Sequence, residues 1–360
     1  MNFFKKFLPL LLILTLLLPF ATSCGMNNVS ADVHVFYYTY SDTYISTVRS
    51  ALDKALSSAG IKYQDHDSNN NQTTQTEQIQ TAITKGAKLL VVNIVTTGSD
   101  DAASGIVSLA KSANIPVIFF NREVSDAVVK SYDKCAFIGT DASEAGKLQG
   151  DMIGDYVVKN YNSIDLNGDG EISYVLFMGE KGNNEAIYRT RYSVENANKK
   201  LSAAGKKALK FYDSANKDKY LLDRDGKWSA QAANEYMTTL LSSHSVANKN
   251  MVELIICNND GMAEGAISAL NSAGYNTGSK DGTTIPVFGV DATSAAKELI
   301  KAGKMAGTIK QDAEGMASAI SKCVANGLAS KSLFDGMTEY NIDEGVSKLR
   351  IAYAVYLGEE

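Results

Sequence analysis

The most specific chemistry in the sequence lies in nine consecutive residues, Asp165-Leu166-Asn167-Gly168-Asp169-Gly170-Glu171-Ile172-Ser173. Side-chain oxygens at positions 1, 3, 5 and 9, glycine at 6 and a backbone carbonyl at 7 match the start of an EF-hand calcium loop. Position 12 of such a loop must be a bidentate glutamate, and here it is Leu176. A calcium ion at this loop therefore needs a further carboxylate from elsewhere in the chain. The competing reading is an Asp/Asn/Gly-rich turn without an ion.

A second set of groups is spread along the chain, each just after an apolar run. These are Asp42; Asn121 and Arg122; Asn183, Glu185 and Arg189; Asn258, Asn259 and Asp260; Asp291; and Gln311 and Asp312. Carboxylates accept, guanidinium donates and amides do both, which suits a ligand dense in hydroxyls. Tyr38, Tyr40, Tyr44 and Trp228, the only tryptophan, supply flat faces for the C–H side of a sugar ring. Any one of the polar residues could instead cap the helix that follows it.

The apolar runs set these groups in place. Valine- and isoleucine-rich stretches at 33–40, 61–65, 88–95, 115–120, 135–139, 171–178, 208–213, 251–257, 285–290 and 305–310 read as strands. Helical patterns separate most of them, glycine-stopped at 42–59 and 73–85, and another at 143–160. Continuous apolar strands alternating with helices predict a doubly wound α/β chain with parallel sheets covered on both faces. This many strands exceeds what one open twisted sheet carries, so two sheets are expected. Neither a Gly-x-Gly-x-x-Gly turn nor a Walker loop follows a strand, which argues against dinucleotides and NTPs. An open α/β sheet holds its ligand beyond the carboxyl ends of its strands, where the polar groups lie.

Composition narrows the classes further. A net charge of −5 without a dense basic block excludes a nucleic-acid binder, and three isolated histidines leave little for a triad or a histidine metal site. The N-terminus pairs Lys5 and Lys6 with an apolar run over residues 7–20, too short to span a membrane comfortably, as a secretory signal does. Ala21-Thr22-Ser23-Cys24-Gly25 resembles a bacterial lipobox, so lipidation of Cys24 after removal of residues 1–23 is expected; the competing reading is ordinary signal cleavage near Ala21 with Cys24 incidental. The remaining cysteines, Cys135, Cys257 and Cys323, are expected to be reduced, Cys135 and Cys257 as core residues on strands.

In order along the chain, Tyr40-Ser41-Asp42-Thr43-Tyr44, Phe119-Phe120-Asn121-Arg122-Glu123, Ser131-Tyr132-Asp133-Lys134, Gly139-Thr140-Asp141, Gln149-Gly150-Asp151, the 165–173 loop, Asn258-Asn259-Asp260-Gly261-Met262-Ala263 and Ile285-Pro286-Val287-Phe288-Gly289-Val290-Asp291 resemble the bacterial periplasmic galactose/glucose-binding proteins, of the type I periplasmic-binding-protein fold. The resemblance covers about residues 33–355. It implies two hinged lobes, with residues 33–139 plus 312–346 in the first and 140–311 plus 347–360 in the second, after a tether at 24–32. It implies chain crossings near 139–141, 308–312 and 341–346.

The same resemblance implies a monosaccharide ligand, glucose or galactose, held by Asp42, Tyr44, Asn121, Asn183, Glu185, Arg189, Trp228, Asn259, Asp291 and Gln311, with Trp228 stacked opposite Tyr44. Asn183 stands where the family has histidine, Glu185 where it has aspartate, Gln311 where it has asparagine and Tyr44 where it has phenylalanine. The stretch between Asp213 and Trp228 is longer than in the family. The implied structural calcium is held by Asp165, Asn167, Asp169 and Ser173, the Glu171 carbonyl, and Glu253 as the closing carboxylate. The implied partner is a membrane ABC permease, or a chemoreceptor or sensor kinase that reads the closed form. The implied location is outside the cytoplasm, on the outer face of the cell membrane or in the periplasm. A glycosidase built on two of Asp42, Glu185 and Asp291 is disfavoured, because all three match ligand-holding positions. A repressor of related fold would need a helix-turn-helix where the signal stands.

Overall fold

The computed structural model describes residues 31–358; Cys24, the signal and most of the tether lie outside the described residues. The chain starts with β1 (Val33–Tyr37), α1 (Thr43–Ser58), β2 (Tyr63–Asp67), α2 (Gln72–Thr84) and β3 (Leu89–Val92). There follow α3 (Asp101–Ser112), β4 (Val117–Phe120), α4 (Asp126–Lys130) and β5 (Cys135–Gly139). It then crosses into α5 (Ala142–Ile164), β6 (Ser173–Met178), α6 (Asn184–Ala203), β7 (Lys210–Phe211), β8 (Leu221–Leu222) and α7 (Ala230–Leu241). The same lobe continues through β9 (Leu254–Cys257), α8 (Asp260–Ser272), β10 (Val287–Asp291), α9 (Ser294–Lys301) and β11 (Gly307–Gln311). After α10 (Ala313–Leu328) come β12 (Asn341–Asp343), β13 (Lys348–Arg350) and β14 (Tyr353–Tyr356).

Two sheets result, in the orders β12-β13-β5-β4-β3-β1-β2 and β14-β11-β10-β9-β6-β7, with β8 added beside β6. All pairings are parallel except β12 with β13 and β11 with β14. The central strands of each sheet are buried on both faces, as the unbroken apolar runs required, while β2, β12 and β14 at the edges are partly exposed. Val33, Val35 and Tyr37 pack under α1 and α10, whereas Phe36 faces the core below α2 and α3. In the second sheet Tyr174, Leu176 and Met178 alternate with Val175 and Phe177 in the same way. Cys135, Cys257 and Cys323 are free and buried.

Some expected elements are shorter than their apolar runs. The run at 33–40 leaves the ladder after Tyr37, because the Tyr38 and Tyr40 amides donate to the Asn93 and Asp67 side chains instead. The run at 251–257 pairs as strand only from Leu254. One lobe boundary needs correction. Residues 348–350 still pair with β5 of the first sheet, and the chain enters the second sheet only at Tyr353. The β12–β13 hairpin buries Lys348 and Leu349 in the first lobe before crossing, a long-range pairing that local pattern cannot reveal.

The crossings are laced together. The Ile351 amide donates to the Gly139 carbonyl at 2.7 Å, Arg350 to the Thr140 carbonyl at 2.6 Å, and Thr140 Oγ1 bonds Tyr353 Oη at 2.8 Å. In the second lobe α5 and α6 pack at unusually close range through Gly146, Gly150 and Gly154. A Cβ on Gly150 would lie 2.5 Å from the Tyr192 carbonyl oxygen, so only glycine admits this approach. That contact sets α6, which carries Glu185 and Arg189, against the rest of its lobe.

Candidate functional site

The carboxyl ends of the two sheets face one cavity, where open α/β sheets hold their ligands. Every sugar-site residue expected from the sequence lines it: Asp42, Tyr44, Asn121, Asn183, Glu185, Arg189, Trp228, Asn259, Asp291 and Gln311. Tyr38, Ile45 and Arg122 complete the wall. The sequence marks Arg122 as a strand-end group and Tyr38 as a nearby aromatic, but the resemblance assigns neither to the site.

Capping and cavity lining turn out to be one arrangement rather than alternatives. Asp42 caps α1 through Oδ1, accepting from the Ile45 amide at 2.7 Å, while Oδ2 accepts from Tyr38 Oη at 2.7 Å. Asn183 caps α6 and Asn259 caps α8, the latter also donating to the Trp228 carbonyl. A helix that starts where a strand ends needs its first amides satisfied, so the cap side chain is held rigidly at the cavity edge. Three strand-end groups serve other ends. Asn258 bonds Thr190 and the Gly179 amide, Asp260 accepts from Thr308 Oγ1 and the Thr293 amide, and Asp312 caps α10.

Arg189 organises the second-lobe wall. Its Nη1 donates to the Asn258 carbonyl at 2.9 Å, and its Nη2 to Gln311 Oε1 at 3.1 Å and Tyr353 Oη at 2.9 Å. Asp291 Oδ1 stands 3.9 Å away. Burial pushes the Asp291 carboxyl well above the usual carboxylate range, against the pull of Arg189. Glu185 is likewise pushed up to about 7 by burial, with Arg189 opposing.

Arg189 Nε, Glu185 Oε1 and Gln311 Nε2 are buried without a hydrogen-bond partner in the protein. Two donors and one acceptor of this kind, all on cavity residues, are costly unless a polar ligand bonds them. The backbone is strained there too: Asn121, Trp228 and Asp291 have φ of 60°, 54° and 128°. Non-glycine residues in such conformations cost on the order of 1–3 kcal/mol each and concentrate at ligand clamps.

The 165–173 loop lies in the second lobe, before β6. Asp165 accepts from the Gly168, Asp169 and Gly170 amides, and Asp169 from the Glu171 amide. Glu253 reaches the loop as the resemblance implied, with Oε1 accepting from the Asn167 amide at 2.9 Å and Oε2 from the Ser173 amide at 2.9 Å. Asn167 turns its side chain to both backbone groups of Met251, and Ser173 Oγ lies within donating distance of Glu253 Oε2 and the Met251 carbonyl, with one proton to give to either. Among the described residues no three His, Cys, Asp or Glu side chains stand close enough together to hold a metal.

A model of the periplasmic binding protein domain matches residues 33–332. The D-galactose/methyl-galactoside binding periplasmic protein of Haemophilus influenzae is 35% identical over 339 residues, 93% of each chain. The D-xylose-binding periplasmic protein of Escherichia coli is 29% identical over 264 residues, 72% of this chain and 67% of its own. Among solved structures, an ABC transporter solute binding protein from Clostridium phytofermentans with bound β-D-glucose superposes with a TM-score of 0.69 at 21% identity, covering 91% of this chain and 94% of that one.

Proposed function

The chain belongs to the periplasmic binding protein domain family, and from that premise we propose that it captures glucose or galactose outside the cytoplasm and delivers it to a membrane ABC permease. It is a sugar-binding transport protein rather than an enzyme. The observation that carries the hexose reading is the set of unpartnered groups on Glu185, Arg189 and Gln311, in a cavity whose wall also includes Asp42, Asn121, Asn183, Asn259, Asp291 and three aromatic rings. Planar amides, carboxylates and one guanidinium meet ring hydroxyls at the rim, and Tyr44 and Trp228 meet the ring's faces.

Closure follows from differential affinity. The ligand bonds both lobes only when they meet, so it populates the closed form by as much as it prefers that form. Lipid on Cys24 would keep the protein beside its permease. Among the described residues no helix is long and apolar enough to cross a membrane.

Calorimetry against D-glucose, D-galactose, D-xylose, D-ribose and myo-inositol tests the sugar. The expected result is one-to-one binding of glucose or galactose, with at least about a hundredfold preference over the pentoses, because the polar groups that serve the missing hydroxymethyl would stay unpaired. Tighter binding of a pentose or of the inositol, or no heat with either hexose, overturns the hexose reading.

We further propose calcium as the occupant of the 165–173 loop. In its support, the available donors are all oxygen, from Asp165, Asn167, Asp169, Ser173, Glu253 and the Glu171 carbonyl. The ion would have to draw Asp165, Asp169 and Glu253 closer together, with Asn167 and Glu253 giving up their backbone partners. Melting in millimolar calcium should exceed melting in chelator by several degrees, since a ligand at about 1,000 times its Kd stabilises by about 4 kcal/mol. Equal melting temperatures would leave Glu253 alone as the closure of the loop.

A further inference from the structure

Glu180 stands just outside the cavity, two residues beyond β6, and its carboxylate is bonded from both lobes. From the second lobe, Trp228 Nε1 and Asn183 Nδ2 each donate to Oε2 at 3.3 Å. From the first, Thr97 Oγ1 donates to Oε1 at 3.2 Å, and Arg122 Nη2 reaches Oε1 at 2.9 Å and Oε2 at 2.7 Å. Arg122 is itself fixed by the first lobe: its guanidinium lies 4.2 Å over the Tyr38 ring and donates to the Val95 carbonyl at 2.8 Å. The lobes also meet beside this carboxylate. A Cβ on Gly182 would lie 3.2 Å from Gly98 Cα, and Asn70 Nδ2 donates across to the Asp225 carbonyl. The Trp228 ring lies flush on Gly179, where a Cβ would come within 2.1 Å of Cδ2.

We propose that Glu180 is a positioning residue that ties the setting of Trp228 to lobe closure. The second-lobe donors hold the carboxylate at the indole in any state of the hinge, and Arg122 and Thr97 join only when the lobes meet. Closing therefore pins the indole, and an indole pinned against a sugar favours the closed form. A charge-assisted pair half-shielded between two surfaces is strong enough to bias such an equilibrium. The role rests on the sugar-site reading, because the ring it pins is the one assigned to the sugar.

Trp228 is the only tryptophan, so emission excited beyond the tyrosine absorption band reports this ring alone. Stopped-flow measurements on wild type, Glu180→Gln and Thr97→Val, using D-glucose and D-galactose, give association and dissociation rates separately. Glu180→Gln should raise the dissociation rate at least about tenfold with association changed less than about threefold, and should lower the Trp228 anisotropy of the sugar complex. Thr97→Val, which keeps the charge pair, should shift dissociation a few-fold in the same direction. An unchanged dissociation rate and anisotropy in Glu180→Gln overturn the proposal.

A sugar-free arm separates this failure from failure of the sugar reading. Crosslinking of Asn70→Cys with Asp225→Cys by a short bis-maleimide should be slower when Glu180→Gln is added. Equal rates overturn the latch, whatever sugar the site takes. If neither hexose alters wild-type emission, the hexose reading falls, and the crosslinking rates alone decide the proposal.

Discussion

Arg189→Lys lowers sugar affinity by at least about a hundredfold while the protein stays folded. The guanidinium serves three acceptors on three segments at once, the Asn258 carbonyl, Gln311 Oε1 and Tyr353 Oη, and its buried Nε has no protein partner. A lysine ammonium keeps the positive charge near Asp291, so no buried carboxylate is left uncompensated, but it is a point donor on a flexible stem. It cannot span Asn258 and Gln311 while facing a ligand. At least one of those acceptors and one sugar oxygen lose a charge-assisted bond, each worth about 1.5–3 kcal/mol. Two such losses correspond to roughly a hundredfold or more in Kd. Calorimetry with the preferred hexose, beside a melting curve for folding, checks this. Affinity within threefold of wild type would remove Arg189 from the site.

Glu185→Gln abolishes a stability loss that the sugar-free wild type suffers between about pH 4.5 and pH 7. The Glu185 carboxyl is buried in the first turn of α6 and pushed up to about 7, from an ordinary value of 4.5, chiefly by loss of solvent. Between those two values the folded chain keeps a proton that the unfolded chain releases. Raising the pH through that window therefore favours the unfolded state. The stabilising difference is fully present below about 4.5 and gone above about 7. A shift of this size is worth about 3 kcal/mol. Glutamine cannot titrate. Asp65 and Asp260, also raised to about 7, and His66, lowered to about 4, titrate in both proteins and cancel in the difference. Unfolding free energies at pH 4.5, 6 and 8 should show the variant gaining on wild type by about 3 kcal/mol over the range. Parallel curves would mean that the Glu185 carboxylate ionises as an exposed one does.

Much of the architecture is written locally, and for that reason could be read without coordinates. An unbroken valine and isoleucine run dictates a strand covered on both faces, and an Asp or Asn beyond it dictates a cap, because both depend only on near neighbours. Asp42, Asn183 and Asn259 could thus be placed at strand ends from sequence alone, and the wall of the cavity is largely those ends. What neighbours along the chain cannot encode is which of these groups turn inward. Asn258 and Asp260 flank Asn259, yet they bond Thr190 and Thr308 inside the lobe and leave the cavity to it. Pairing across long sequence distances likewise put residues 348–350 in the first sheet. Glu180 acquired its meaning only when Arg122, 58 residues earlier, met it across the cleft. Hydrogen-bond convergence of this kind depends on the docking of two finished lobes, a long-range event decided by packing and not by the periodicity of either strand.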